Sequence, residues 1–254
     1  MKITIITVCY NSAKTIEDAI KSVLMQAYSN IEYIVIDGAS FDGTQQIISK
    51  YESSIDVIVS EEDEGIYDAM NKGILLATGE VVAFLNSDDF YAGSGAISAV
   101  MDVFINNSID ICYGDLCYVN SDHPQKVIRY WRGGDYCDAG FSGGWSPAHP
   151  SFFVRSDVYK KYGLFDTKIN IANDIELMYR FMELHKLKSL YLKKVIVYMR
   201  LGGQSNQNIR TIFYQNFEII KFIKKSDKNF SIAKYIFGKL LIRLKQFITR
   251  PDGC

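Results

Sequence analysis

IEYIVIDGASFDGT, residues 31–44, is the stretch on which the fold turns. Its first seven residues form an apolar run, the mark of a buried strand. GASFDGT then breaks the run, and Asp42 or Thr44 stands where it can cap a helix continuing through Tyr51. Strand, loop and helix therefore follow in immediate succession.

The same order repeats on both sides. KITIITV (2–8) reads as a strand, and Ile16, Ala19, Ile20, Val23, Leu24 and Ala27 recur at helical spacing. IDVIVS (55–60) is a third strand, IYDAMNKGILLA (66–77) a helix punctuated by Gly79, and EVVAFL (80–85) a fourth strand. This alternation predicts an α/β fold with a mostly parallel sheet and crossover helices. Beyond it the pattern loosens. IDICYGDLCYV (109–119), KVIRYW (126–131) and KKVIVYMR (193–200) read as strands, and NDIELMYRFMEL (173–184) as a helix. Gly133 to Pro150 is a long loop rich in Gly, Ser and aromatic residues; loops of such length more often serve function than not.

Residues from about 207 to 249 read as helical. Ile232, Ile236, Leu240, Leu241, Leu244, Phe247 and Ile248 form an apolar stripe, with Lys234, Lys239, Arg243, Lys245 and Arg250 mostly off it. Such a helix either lies in the interface of an anionic membrane or packs on its own domain with a solvated basic face. The chain divides on this reading into a unit at 1–205 and a helical extension at 206–254, a candidate for membrane contact or homodimer formation.

Bulk properties narrow the classes. A chain of 254 residues with 48% apolar and 22% charged residues is an ordinary globular protein. A net charge of −1 argues against a nucleic-acid partner. Cys9, Cys112, Cys117, Cys137 and Cys254 show neither a CxxC pair nor zinc spacing, the usage of reduced thiols in a cytosolic protein. The three histidines are too scattered for a histidine-based metal site. The apolar N-terminus lacks a cleavage signature, and no stretch approaches the roughly 20 apolar residues that span a bilayer. A cytoplasmic location is expected, with the inner membrane face open to contact.

In a parallel α/β sheet, ligands bind beyond the carboxyl ends of the strands. Those ends carry Thr7, Tyr10 and Asn11; Asp37, Ser40 and Asp42; Glu61, Glu62, Asp63 and Glu64; and Asn86, Ser87, Asp88 and Asp89. Neither a GxxxxGK[ST] nor a GxGxxG phosphate loop is present. In FLNSDDF (84–90), adjacent carboxylates follow an apolar run and call for a positive partner. Mg²⁺ or Mn²⁺, shared with a substrate diphosphate, suits such oxygen ligands.

Taken in order, TVCYN (7–11), IVIDGASFDGT (34–44), DEGIYDAMNKGI (63–74) and FLNSDD (84–89) resemble the family 2 glycosyltransferases of the GT-A fold. HPSFFVR (149–155), YGLFD (162–166), ND (173–174) and GGQS (202–205) extend the likeness, which covers about residues 2–205. It implies a Rossmann-like sheet flanked by helices. It further implies inverting, metal-dependent transfer of a sugar from a nucleotide-sugar, of the UDP class, in bacterial surface polysaccharide synthesis. The implied acceptor is a saccharide or a polyprenyl-diphosphate-linked sugar.

The resemblance also places roles. Thr7, Tyr10, Asn11 and Asp37 match nucleotide-binding positions, the tyrosine stacking on the base; Asp37 alternatively caps a turn. Asp68, Asn71 and Lys72 either line the donor or form a solvated helix face. Asn86–Ser87–Asp88 stands where the family has its DxD motif, which makes Asp88 the metal ligand and faces Asn86 to the ribose. Asn86 departs from the family carboxylate, so Asp89 is a second candidate ligand, or else a turn cap. Asp174 is the candidate general base, or a plain N-cap, and Asn173 again departs from the family glutamate. Trp145 and His149 are candidates for acceptor contact, and Gly203 for a lid over the phosphates. Two rival readings remain: a sugar-phosphate nucleotidyltransferase and a non-catalytic assembly component. Against the first, TVCYNSAKT lacks a glycine-rich signature and offers only Lys14.

Overall fold

The computed structural model describes residues 1–136, 140–169, 171–202 and 209–249. Gly203 and most of the GGQS segment, Cys137, Cys254 and Arg250 lie outside them. Among the described residues, nine strands form one sheet. Its order is β3 (Val57–Ser60), β2 (Ile31–Asp37), β1 (Ile3–Cys9), β4 (Val81–Phe84), β8 (Phe152–Arg155), β6 (Ile111–Val119), β9 (Ser189–Arg200) and β5 (Asp89–Tyr91). The short β7 (Val127–Trp131) pairs with the far half of β6. From β3 to β4 every pairing is parallel, as the alternation predicts. β8 then runs antiparallel to both β4 and β6, and β6 pairs parallel with β9.

The helices are α1 (Ile16–Leu24), α2 (Thr44–Ser49), α3 (Ile66–Leu76), α4 (Ala96–Asn106), α5 (Ser156–Tyr162), α6 (Asn173–Tyr179), α7 (Ile209–Ser226) and α8 (Ile232–Ile248). Their apolar stripes cover both faces of the sheet, which is why its central strands are apolar on both sides. Ile3, Ile5, Val35 and Ala83 face one core with Ile20 and Val23 of α1 and Val100 and Phe104 of α4. Ile6, Val8, Ile36 and Phe84 face the other, with Met70 and Ile74 of α3, Leu177 and Met178 of α6, Ile223 of α7 and Tyr235 of α8. Complete burial of each such side chain contributes about 1.5–3 kcal/mol.

Some boundaries differ from the sequence reading, for local reasons. β3 starts at Val57 because Asp56 turns its carboxylate back onto the Tyr33 N–H, at 2.7 Å. β9 starts at Ser189, and its register jumps across Lys193–Lys194, the point at which the sequence pattern first reads as a strand. The helix expected over 173–184 is α-helical to Tyr179 and closes in a π-turn over Arg180–Leu184. There the Arg180 guanidinium holds the carbonyls of Tyr162, Gly163 and Leu164. β5, β8, α4 and α5 have no counterpart in the sequence reading.

α8 is seated at contact distance. A Cβ on Gly238 would stand 2.0 Å from the Gly143 carbonyl oxygen, and one on Gly144 would stand 2.6 Å from the Lys239 nitrogen. Only glycines permit this approach between the helix and the loop from Gly140 to Trp145.

Candidate active site

Parallel pairing aligns the strand tips. Cys9 lies opposite Asp37, and Asp37 opposite Ser60. The loops beyond are pinned to one another. Asn11, at φ 49°, donates its backbone N–H to Ser40 Oγ at 2.8 Å and accepts the Phe41 N–H at 3.1 Å. Ser12 Oγ meets Ser87 Oγ at 2.8 Å, which ties the first strand tip to the fourth.

Asp37 is completely buried. Its oxygens accept the Ser40 N–H and hydroxyl, at 3.1 and 2.5 Å, and the Ser60 hydroxyl at 2.6 Å. It braces the tips of β2 and β3 and closes a turn. Thr7 is buried as well, and accepts the Tyr33 hydroxyl at 3.1 Å. Tyr10, by contrast, is 56% exposed, with Phe41 edge-on to it. Beside Tyr10 the sequence has Gly38, and the space a Cβ would fill there is taken by Asp63 Oδ2. A carboxylate from the β3–α3 loop thus fills the space over Gly38 that Tyr10 also borders.

On α3, Lys72 pairs with Glu61 at 2.8 Å and Asp68 at 3.4 Å. Asn71 grips the backbone of Phe165 from both sides, donating to its carbonyl and accepting its N–H at 3.0 Å each. Phe165 in turn packs on Tyr67, Phe84 and His149.

The two carboxylates of FLNSDDF are placed differently. Asp89 is wholly buried in β5, accepts the Arg200 N–H and the Asn86 amide, and faces away from solvent. Burial, reinforced by Asp88, pushes its carboxyl well above the usual range. Asp88 is half-buried, and among the described residues its carboxylate forms no ion pair and no hydrogen bond beyond its own backbone N–H. Burial raises its carboxyl too, against the pull of Arg200. Arg200, 7% exposed, donates to the Asp88 carbonyl at 2.9 Å and pairs with Asp18 at 2.5 Å. Next to Asp88, Asn86 Oδ1 is buried without a partner. One open carboxylate and one orphaned amide oxygen fit a hard divalent cation completed by water and substrate phosphates. No described cluster of three or more acidic, His or Cys side chains makes a metal cage.

Across the sheet, Asp174 begins α6, just after Ala172 in the left-handed region at φ 67°. It lines a cavity of about 150 Å³ together with His149. The Tyr67 phenol lies against Asp174, and burial followed by that negative charge raises its pKa strongly. His149 is part-buried and stacks on Phe84, with both ring nitrogens buried and neither hydrogen-bonded. Burial of the ring lowers its pKa, against the pull of Asp174. Trp145 is held by its indole N–H on the Gly133 carbonyl, at 2.6 Å, and packs on Tyr113, Tyr136 and Phe141. Arg200 and Tyr67 escape the site residues drawn from sequence, and Asp63 figures there only among the acids beyond the third strand. Arg200 is remote in the chain from Asp18 and Asp88, whereas Asp63 and Tyr67 both lie in the DEGIYDAMNKGI segment.

Comparison with known proteins agrees with this geometry. The sequence profile described as glycosyl transferase family 2 matches residues 4–175. The Escherichia coli protein WfgD, a UDP-Glc:alpha-D-GlcNAc-diphosphoundecaprenol beta-1,3-glucosyltransferase, is 31% identical over 133 residues, covering 49% of this chain and 52% of its own. S. aureus TarS 1–349, solved in complex with UDP-GlcNAc, superposes with a TM-score of 0.62 at 19% identity, over 87% of this chain and 67% of that one. The mannosyltransferase PcManGT from Pyrobaculum calidifontis, solved with GDP-Man and Mn²⁺, superposes with a TM-score of 0.66 at 15% identity, over 95% and 69%. The family match spans most of the chain. This chain therefore belongs to glycosyl transferase family 2 and is a glycosyltransferase of the GT-A fold.

Proposed function

We propose that the chain moves a sugar from a UDP-sugar to a saccharide or polyprenyl-diphosphate-linked acceptor, with inversion, in bacterial surface polysaccharide synthesis. The observation that carries this reading is the division of labour between two carboxylates. Asp88 stands open at the tip of β4, while Asp174 lines a separate cavity at the head of α6. The acceptor chemistry in the WfgD name supports the choice of acceptor.

In this reading Tyr10 stacks on the base, and Asp63 presents an acceptor oxygen beside it. Thr7 and Asp37 support them from behind, with Asn11 locking the loops. Asp88 and the Asn86 amide oxygen would hold Mn²⁺ or Mg²⁺. When bound, that ion supplies positive charge to the leaving diphosphate. Asp68 and Lys72 neutralise one another at the donor edge, and Asn71 fixes Phe165 under the sugar. Asp174 takes the proton from the acceptor hydroxyl as the new C–O bond forms and the bond to the diphosphate breaks. His149 hydrogen-bonds the acceptor. The nucleoside diphosphate leaves on the opposite face, and single displacement needs no carboxylate nucleophile. A panel of nucleotide-sugars with Mn²⁺ or Mg²⁺ tests this: UDP release from a UDP-sugar is expected. Pyrophosphate as product, or inertness towards every donor, sinks the reading.

The outer side of α8 supports membrane contact. Ile236, Phe237, Leu240, Leu244 and Ile248 are all more than half exposed, as are Phe213 and Phe217 of α7. Basic residues of α7 and α8 flank them, the pattern of a helix lying on an anionic surface. No described helix is long and apolar enough to cross a membrane. Because the inner side of α8 walls the Asp174 cavity, point substitution is a cleaner probe than truncation. Phe237→Ser/Leu244→Ser is expected to abolish flotation with phosphatidylglycerol vesicles. Retained flotation rejects membrane contact through this face, and a dimer-to-monomer change without loss of flotation assigns the face to a second copy.

A further inference from the structure

The cavity beside Asp174 has a second wall. β7 contributes Arg129, and the inner side of α8 contributes Lys239 and Arg243, one turn apart. Asp174 is the single acid among the described residues of the lining. Arg129 is only 9% exposed, and its Nε has no hydrogen-bond partner. Its guanidinium lies 3.8 Å above the Tyr118 ring. Lys239 donates to Asn216 Oδ1 at 2.7 Å and to the Tyr235 hydroxyl at 2.9 Å, both neutral. None of the three cations forms an ion pair with a described carboxylate.

Buried cations are normally paired, because an uncompensated charge in a low-dielectric site is costly. The strain on these groups is visible. Burial, and then Arg243, push the Lys239 ammonium down to about 8, even with Asp174 pulling it upward. Burial also lowers Arg129. α8 cannot relieve this by moving outward without losing its seat, since Gly238 and Gly144 hold helix and loop at contact distance. Three positive charges are thus fixed around one space that has room for an anion.

We propose that Arg129, Lys239 and Arg243 bind the diphosphate of the acceptor, esterified to the sugar whose hydroxyl meets Asp174. This rests on the transfer reading given above. Two guanidinium forks and an ammonium suit phosphate oxygens. The donor diphosphate belongs elsewhere: Asp88, Tyr10 and Asp37 do not line this cavity. The arrangement also explains why α8 turns Lys239 and Arg243 in while Ile236, Phe237 and Leu240 face out. A lipid-linked acceptor leaves its tail at the outer face of α8 and its phosphate beneath it.

The test is titration of farnesyl diphosphate, with farnesol as control, into the full chain saturated with UDP and Mn²⁺. The wild type is expected to bind the diphosphate and not the alcohol. Arg243→Gln and Lys239→Gln should each weaken binding about tenfold or more, and Arg129→Lys should weaken it despite keeping the charge. UDP affinity, measured alongside, reports folding and should match the wild type. Phosphatidylglycerol vesicles should float the substituted proteins as well as the wild type. The proposal is overturned if the wild type ignores farnesyl diphosphate, if farnesol binds equally, or if the substitutions leave binding unchanged. It is also overturned if UDP affinity falls with them, which assigns the cations to the donor, or if only vesicle flotation is lost, which assigns them to lipid headgroups. Failure of the donor panel with farnesyl diphosphate still bound removes the transfer reading and leaves the anion site.

Discussion

Asp174→Asn is expected to lower sugar transfer by roughly 10²–10⁴-fold, the usual contribution of a positioned general base. The substitution keeps the size and polarity of the side chain at the head of α6. It removes only the capacity to take a proton. Tyr67 can still donate to the amide oxygen, so the local packing under His149 and Phe165 should survive. Nucleotide affinity should match the wild type, because Asp174 lies in the cavity walled by α8 and not at the tip of β4. The measurement is UDP release with acceptor present, paired with UDP titration. Wild-type turnover in the variant would remove Asp174 from the mechanism. A parallel fall in UDP affinity would mean that the substitution disturbs the sheet rather than the chemistry.

The second large effect is expected at Asp88. Replacing it with Asn should abolish the strengthening of UDP binding by Mn²⁺ and reduce turnover by roughly 10²–10³-fold, since a Lewis acid at the leaving group is worth several kcal/mol. Its neighbour should behave otherwise. Asp89 is enclosed and accepts the Arg200 N–H and the Asn86 amide, so Asp89→Asn leaves an amide N–H facing another donor. That variant should melt at a lower temperature while retaining its response to Mn²⁺. UDP titrations with and without Mn²⁺, alongside thermal melts, separate the two. Loss of the Mn²⁺ response in the Asp89 variant, with Asp88→Asn unaffected, would reverse the assignment. The distinction is invisible in the string NSDD. It arises because β5 begins at Asp89 and pairs with β9, which turns that side chain inward and leaves Asp88 outside the ladder.

Much of the parallel half of the fold was legible. Residues 31–37 are apolar because the sheet is covered on both faces, and that composition alone identifies β2. The helix over 66–77 could be read because Ala69, Met70, Gly73 and Ile74 recur at helical spacing. α4 carried a comparable signal in Ile97, Val100, Met101 and Phe104, and its absence from the reading is a missed pattern rather than a hidden one. β8 and β5 are different. Four and three residues long, they hold their place through pairing with β4, β6 and β9, and short runs have no period of their own. Among candidate site residues, Tyr10 and Asp174 are singled out by their order in the motifs. Asp63 could not be tied to Tyr10, because its approach depends on the missing Cβ of Gly38, across a turn and a strand.

The sequence by itself determined the alternating sheet, the carboxylates at its tips and the basic, amphipathic end of the chain, since each is a local matter of periodicity and composition. Only the tertiary structure decided which way that last helix faces. Amphipathicity says that α8 has two sides; the glycine contact at Gly238 and the burial of Tyr235 decide that the side carrying Lys239 and Arg243 turns in. The reason is that orientation is a property of packing between elements far apart in the chain, where contact distances rather than local preferences set the free energy.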